Sequence, residues 1–137
     1  MMLPGRYEEF FMSNILDILN RDQYAAVTAP EGPVMVIAGP GSGKTRVLAH
    51  RIAYLIQDVG VPAYNILSVT FTNKAAREMK DRVQRLVGEE GQRVSLGTFH
   101  SICTRILRRE TEHTDFTRDF VIYDSTDQKR LTKNIMT

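Results

Sequence analysis

A glycine-rich octapeptide, Ala38-Gly39-Pro40-Gly41-Ser42-Gly43-Lys44-Thr45, joins a continuous apolar run to a helical stripe, and few features restrict a chain's fold more. The run before it is Val34, Met35, Val36 and Ile37, the pattern of a strand covered on both faces. The stripe after it is Leu48, Ile52, Leu55, Ile56 and Val59, with Gly60 and Pro62 as a stop signal. A strand entering a helix through so short a turn is the opening unit of an α/β fold. Glycines let successive backbone N–H groups turn toward one point, and the positive end of the helix dipole falls there too. The loop is therefore suited to an anion the size of a phosphate.

From its second half onward the octapeptide follows the Walker A pattern, with Ala38 where the strict form has its first glycine. A small residue suffices there, because close packing is the only demand. Lys44 would reach the β and γ phosphates of a nucleoside triphosphate as a point charge. The Thr45 hydroxyl would serve Mg²⁺, a hard ion that prefers oxygen. A glycine-rich turn with an incidental lysine is the bland alternative, and the strand-to-helix setting counts against it.

The same alternation continues along the chain. Residues 7–19 place Phe10, Phe11, Ile15, Ile18 and Leu19 at helical spacing, and Asn20 is a natural N-cap for a second helix over 21–28. Residues 66–71 read as a buried strand, and Thr72 or Asn73 as the cap of a helix whose core stripe is Ala76, Met79, Val83, Leu86 and Val87. Residues 93–97 predict a strand and 99–109 a helix burying Phe99, Ile102, Cys103, Ile106 and Leu107. Residues 120–123 predict a further strand, and Ser125-Thr126-Asp127-Gln128 has capping-box form. The expected fold class is α/β, a mostly parallel sheet flanked by helices with its ligands at the carboxyl ends of the strands.

Composition excludes several classes. The 42% apolar and 25% charged residues suit a folded globular chain, and no apolar run approaches the roughly 20 residues that span a bilayer. No basic-then-apolar leader opens the sequence, so a cytoplasmic location without membrane contact is expected. Cys103, the single cysteine, rules out an internal disulfide and a thiolate metal site within the chain. A formal charge of +2 permits nucleic-acid contact without requiring it.

From Leu19 onward, ordered segments resemble the UvrD/Rep/PcrA group of superfamily one DNA helicases. Leu19-Asn20-Arg21-Asp22-Gln23 is similar to the family's Q motif, in which the glutamine amide reads the adenine edge; an amide offers both a donor and an acceptor for that purpose. Asn20 and Gln23 also stand at capping-box spacing, so Gln23 has a purely structural reading. Arg46 matches a position associated with the nucleotide base, against its reading as a solvated charge. Thr70-Phe71-Thr72-Asn73-Lys74-Ala75-Ala76 is similar to motif Ia, which implies DNA contact by Phe71, Thr72 and Asn73, whereas local pattern alone makes Phe71 a core residue. Gly97-Thr98-Phe99-His100-Ser101 resembles motif Ib, which implies DNA contact by Thr98, Phe99 and His100; the local reading makes Thr98 an N-cap and His100 a surface histidine.

The resemblance implies a truncated P-loop NTPase of RecA-like type: a helical lead-in over 1–20, a partial motor domain over 21–124 and the start of an inserted helical subdomain over 125–137. It implies ATP bound by Gln23, Ala38, Gly39, Pro40, Gly41, Ser42, Gly43, Lys44, Thr45 and Arg46, with Mg²⁺ at Thr45. The implied substrate is single-stranded DNA, and the implied role is repair or replication. The family's second acidic motif has no good candidate among Asp115, Asp119, Asp124 and Asp127, although Asp124 follows an expected strand. This piece alone is therefore expected to hydrolyse ATP poorly, to rely on further helicase domains in cis, and to expose apolar sheet surface that favours self-association. Two alternatives stay open, the motor part of a helicase-nuclease recombination subunit and a non-catalytic ATP-sensing module.

Overall fold

Several helices of this protein begin or end on a local signal that the sequence displays. The computed structural model describes residues 14–123 and 125–136. After a four-residue helix α1 (Asn14–Asp17), Asn20 caps α2 (Arg21–Val27). Its Oδ1 accepts from the Gln23 amide at 2.9 Å, and Gln23 Oε1 accepts in return from the Asn20 N–H at 3.2 Å. Two of the donors that a helix start leaves unpaired are thereby satisfied. Helix α3 (Lys44–Gln57) follows the glycine-rich loop. Strand β1 (Leu67–Thr70) leads to α4 (Asn73–Val87), whose cap Thr72 accepts from the Ala75 amide at 3.1 Å and whose end is turned by Gly88 at φ 67°. Strand β2 (Ser95–Thr98) runs into α5 (Phe99–Arg109), and α6 (Ser125–Ile135) comes last.

The chain divides into two compact units, Met1–Ile102 and Cys103–Thr137. In the first, β1 and β2 pair in parallel with Leu67 opposite Ser95 and Thr70 opposite Thr98. Parallel neighbours need a crossover, and α4 supplies it. The core is one cluster: Ala49 and Ile52 of α3, Met79 and Val83 of α4, with Ala63, Ile66 and Val94 from the segments entering the strands. Leu55, Ile56, Leu86, Val87 and Leu96 pack against it. The α4 stripe is thus the one its spacing predicts. In the second unit, the Arg108 guanidinium lies 5.5 Å from the Phe120 ring centre, and Phe120 in turn meets Phe116 at 5.5 Å.

Three expectations from the sequence are altered. Residues 34–37 form no strand: they pair with no neighbour among the described residues, and Met35 and Ile37 are 85% and 91% exposed. An apolar run becomes a buried strand only where flanking strands accept its hydrogen bonds and helices cover its faces, and the described sheet has two strands, neither paired with it. Residues 120–123 are likewise unpaired and irregular. In α5 only Ile102 is buried, while Phe99, Cys103 and Ile106 face solvent. Most of the helix expected over 7–19 lies outside the described residues, as does the Ser125 side chain, and Gln128 Nε2 donates to the Tyr123 carbonyl at 3.3 Å.

His50 of α3 is 4% exposed, and its Nδ1 has no hydrogen-bond partner among the described residues. Burial holds its pKa below the ordinary 6.5; the Ile15 backbone acts in the opposite direction, and the positive charge of Arg46 adds to the depression. The unfolded chain therefore takes up this proton at a higher pH than the folded one. Stability is full above 6.5 and declines as pH falls below it toward the depressed folded value. Urea unfolding between pH 8 and pH 5 should show this decline, and His50→Leu should flatten it.

Candidate nucleotide site

Gly43 is where the phosphate-sized loop becomes a helix. Its φ of 85° lies in the left-handed region, and it caps α3 without any side-chain acceptor for the first-turn amides. The first amide of this helix to be satisfied is that of Val47, which donates to the Gly43 carbonyl at 3.0 Å. The N–H groups of Lys44, Thr45 and Arg46 precede the point at which intrahelical bonding begins, and no group among the described residues accepts from them. Three adjacent donors at the positive end of a 14-residue helix thus stand open.

The loop's own side chains fold onto its carbonyls. Lys44 Nζ donates to the Gly39 carbonyl at 2.7 Å and to that of Ala38 at 3.0 Å, and Ser42 Oγ donates to Gly39 at 2.7 Å. The ammonium is therefore held over the loop instead of extending into solvent. Neutral carbonyls are weaker partners for a cation than charged oxygens, so an anion in the loop would compete well for this lysine.

Gln23 has the capping role that its spacing allowed, and it makes one further contact. Besides closing the cap of α2, its Nε2 donates to the Ser42 carbonyl at 3.0 Å, a strut from α2 to the loop. A Cβ on Gly43 would lie 2.8 Å from that Nε2 and displace the strut, while the φ of 85° is what demands glycine. Around this strut opens a cleft of about 720 Å³, a size suited to a small organic ligand. Of the predicted nucleotide residues, Gln23, Ala38, Gly39, Ser42 and Lys44 line it. Pro40, Gly41, Gly43, Thr45 and Arg46 belong to the loop and first turn but not to its wall; Thr45 and Arg46 are exposed.

Asp22 and Arg51 also line the cleft, and sequence reasoning passed over both. A signal for Arg51 existed. Lys44, Val47, Leu48 and Arg51 recur at helical spacing on one face of α3, and all four line the cleft. The stripe assigned to the core thus divides, with Ile52 buried and Leu48 turned to the cleft.

A second cluster occupies the carboxyl edge of the sheet. Because Thr70 and Thr98 are in register, the residues that follow them emerge side by side. Phe71 is 89% exposed and Phe99 50% exposed, and their rings meet at 5.5 Å with a 44° tilt. Phe71 is accordingly not a core residue. Thr72 and Asn73 stand at the start of α4, both exposed, the first committed as its cap. Thr98 is buried and caps α5: its Oγ1 accepts from the Ser101 amide at 3.2 Å while Ser101 Oγ accepts from the Thr98 amide at 2.9 Å. His100, one residue into that helix, faces solvent.

The model of the UvrD/REP helicase N-terminal domain matches residues 19–137. Similar curated proteins include the ATP-dependent DNA helicase PcrA of Staphylococcus aureus (strain Mu50 / ATCC 700699), 52% identical over 125 residues. Another is the protein of the same name from Staphylococcus epidermidis (strain ATCC 12228 / FDA PCI 1200), 53% identical over 125 residues. Each alignment covers 91% of this chain and 17% of the relative, so the chain spans about a sixth of those proteins' length.

Proposed function

This chain belongs to the UvrD/REP helicase N-terminal domain family, and from that premise we propose that it forms the ATP-binding portion of a helicase motor working on single-stranded DNA. The observation that carries the reading is the cleft in which the Gln23 amide, the glycine loop and the Lys44 ammonium converge beside the open amides of α3. Such a set fits a nucleotide: backbone donors and a cation for the polyphosphate, an amide for the base. In this reading the fold is of the P-loop NTPase class.

Each residue then has a task. The amides of Lys44, Thr45 and Arg46 hold phosphate oxygens in the orientation that the helix start imposes. Lys44 would exchange its two carbonyl partners for phosphate. Thr45 presents its hydroxyl at the first turn, where Mg²⁺ would be held. Bound ATP with Mg²⁺ would supply the phosphoryl bond whose hydrolysis drives the cycle. Arg46, exposed on the first turn, remains the candidate for the base's outer face. The Phe71 and Phe99 pair is a stacking platform at the ligand edge of the sheet, and Thr72, Asn73 and His100 are its polar neighbours; Thr98 acts there through the geometry of α5. Repair or replication is the proposed setting, in the cytoplasm, with the stepping motion completed by further helicase domains in cis.

ATP hydrolysis by the complete protein should rise strongly on addition of single-stranded DNA, and Lys44→Ala should abolish that stimulation. Hydrolysis indifferent to DNA would favour an ATP sensor over a motor. For the 137-residue chain by itself, the exposed run at 34–37 supports self-association. Light scattering at increasing concentration should show growing assemblies that Ile37→Lys reduces; a monomer at every concentration would refute this.

A further inference from the structure

We infer that Arg51 is a positioning residue of the nucleotide site, setting the helix that carries Gln23 against the helix that opens with Lys44. The inference rests on the nucleotide reading above and assigns a determinant of base recognition outside the glycine loop.

One nitrogen, Arg51 Nη1, donates to the Val27 carbonyl at 2.7 Å and to the Ala29 carbonyl at 2.6 Å. Val27 is the last residue of α2, where the carbonyls of the final turn have no intrahelical partner and the dipole is negative. A guanidinium there satisfies orphan acceptors and complements the dipole through short, charge-assisted bonds. The same group lies 5.8 Å from the Tyr54 ring centre, which further fixes its rotamer. Among the described residues no carboxylate forms an ion pair with Arg51, so its ties to the chain are these backbone contacts and this ring.

The placement links two parts of the site. Arg51 lies two helical turns beyond Lys44 on the cleft face of α3. At its other end α2 is tied to the loop by the Gln23 to Ser42 bond. Helix α2 is therefore fastened twice, at its start to the loop and at its end to α3. Gln23 reaches a base with a fixed orientation only while both hold. A shift of a few tenths of an ångström at Val27 would be carried along a seven-residue helix to the amide.

The test uses the 137-residue chain and its Arg51→Met, Arg51→Lys and Gln23→Ala variants, titrated calorimetrically with ADP and with inorganic pyrophosphate. Methionine keeps most of the apolar stem and removes the donors. Arg51→Met should weaken ADP about tenfold and leave pyrophosphate within about twofold, with Arg51→Lys intermediate. Added to Gln23→Ala, it should weaken ADP by less than about twofold more, since both changes act through one route. Without any ligand, amide exchange across α2 should accelerate in Arg51→Met. Equal losses for ADP and pyrophosphate, full additivity with Gln23→Ala, or unchanged ADP binding would each overturn the assignment. A parent chain that binds neither ligand would overturn the nucleotide reading and this assignment with it, even with faster α2 exchange in the variant.

Discussion

The structure depends on one open helix end. Three amides, those of Lys44, Thr45 and Arg46, project from the start of α3 without acceptors among the described residues. That arrangement is costly unless water or an anion satisfies it. It exists because Gly43 takes a left-handed φ and carries no side chain that could cap the helix. Other parts of the first unit either hold this end in place or bring the Gln23 amide to the loop beside it.

Helix α3 performs the holding through two faces. One, with Ala49 and Ile52, enters the core against Met79 and Val83 of α4 and so fixes the helix to the sheet. The other, with Lys44, Val47, Leu48 and Arg51, forms a wall of the cleft. A rigid rod with a packed side and a cleft side transmits the position of the core to the open amide end with little slack. Helix α2 adds the Gln23 amide, and its two polar fastenings explain how a seven-residue element holds a defined orientation.

Much of this was legible from residues alone. The glycine loop, the Asn20 and Thr72 caps, the stripe of α4 and the two parallel strands all follow local rules in spacing and turn chemistry. Gln23, Ala38, Gly39, Ser42 and Lys44, five of the ten residues that the resemblance assigned to a nucleotide, line one cleft. What failed was inference from apolarity to burial. The run at 34–37 is as hydrophobic as a central strand, yet strand formation depends on neighbours, which a local pattern does not reveal. Phe99 fits a helical core stripe and is half exposed because it stands at the sheet edge beside Phe71. The cleft face of Arg51 was readable from its helical spacing, but its partners, backbone carbonyls 22 and 24 residues away, leave no mark in a sequence.

The central claim is that the open end of α3 is a seat for a polyphosphate. Backbone ¹H–¹⁵N spectra of the chain during a pyrophosphate titration address it directly. The account requires the amide resonances of Lys44, Thr45 and Arg46 to move downfield together and saturably, with Gly43 following and the amides of α4 unmoved. Saturable shifts centred elsewhere, or none at these four residues while the fold stays intact, would contradict it.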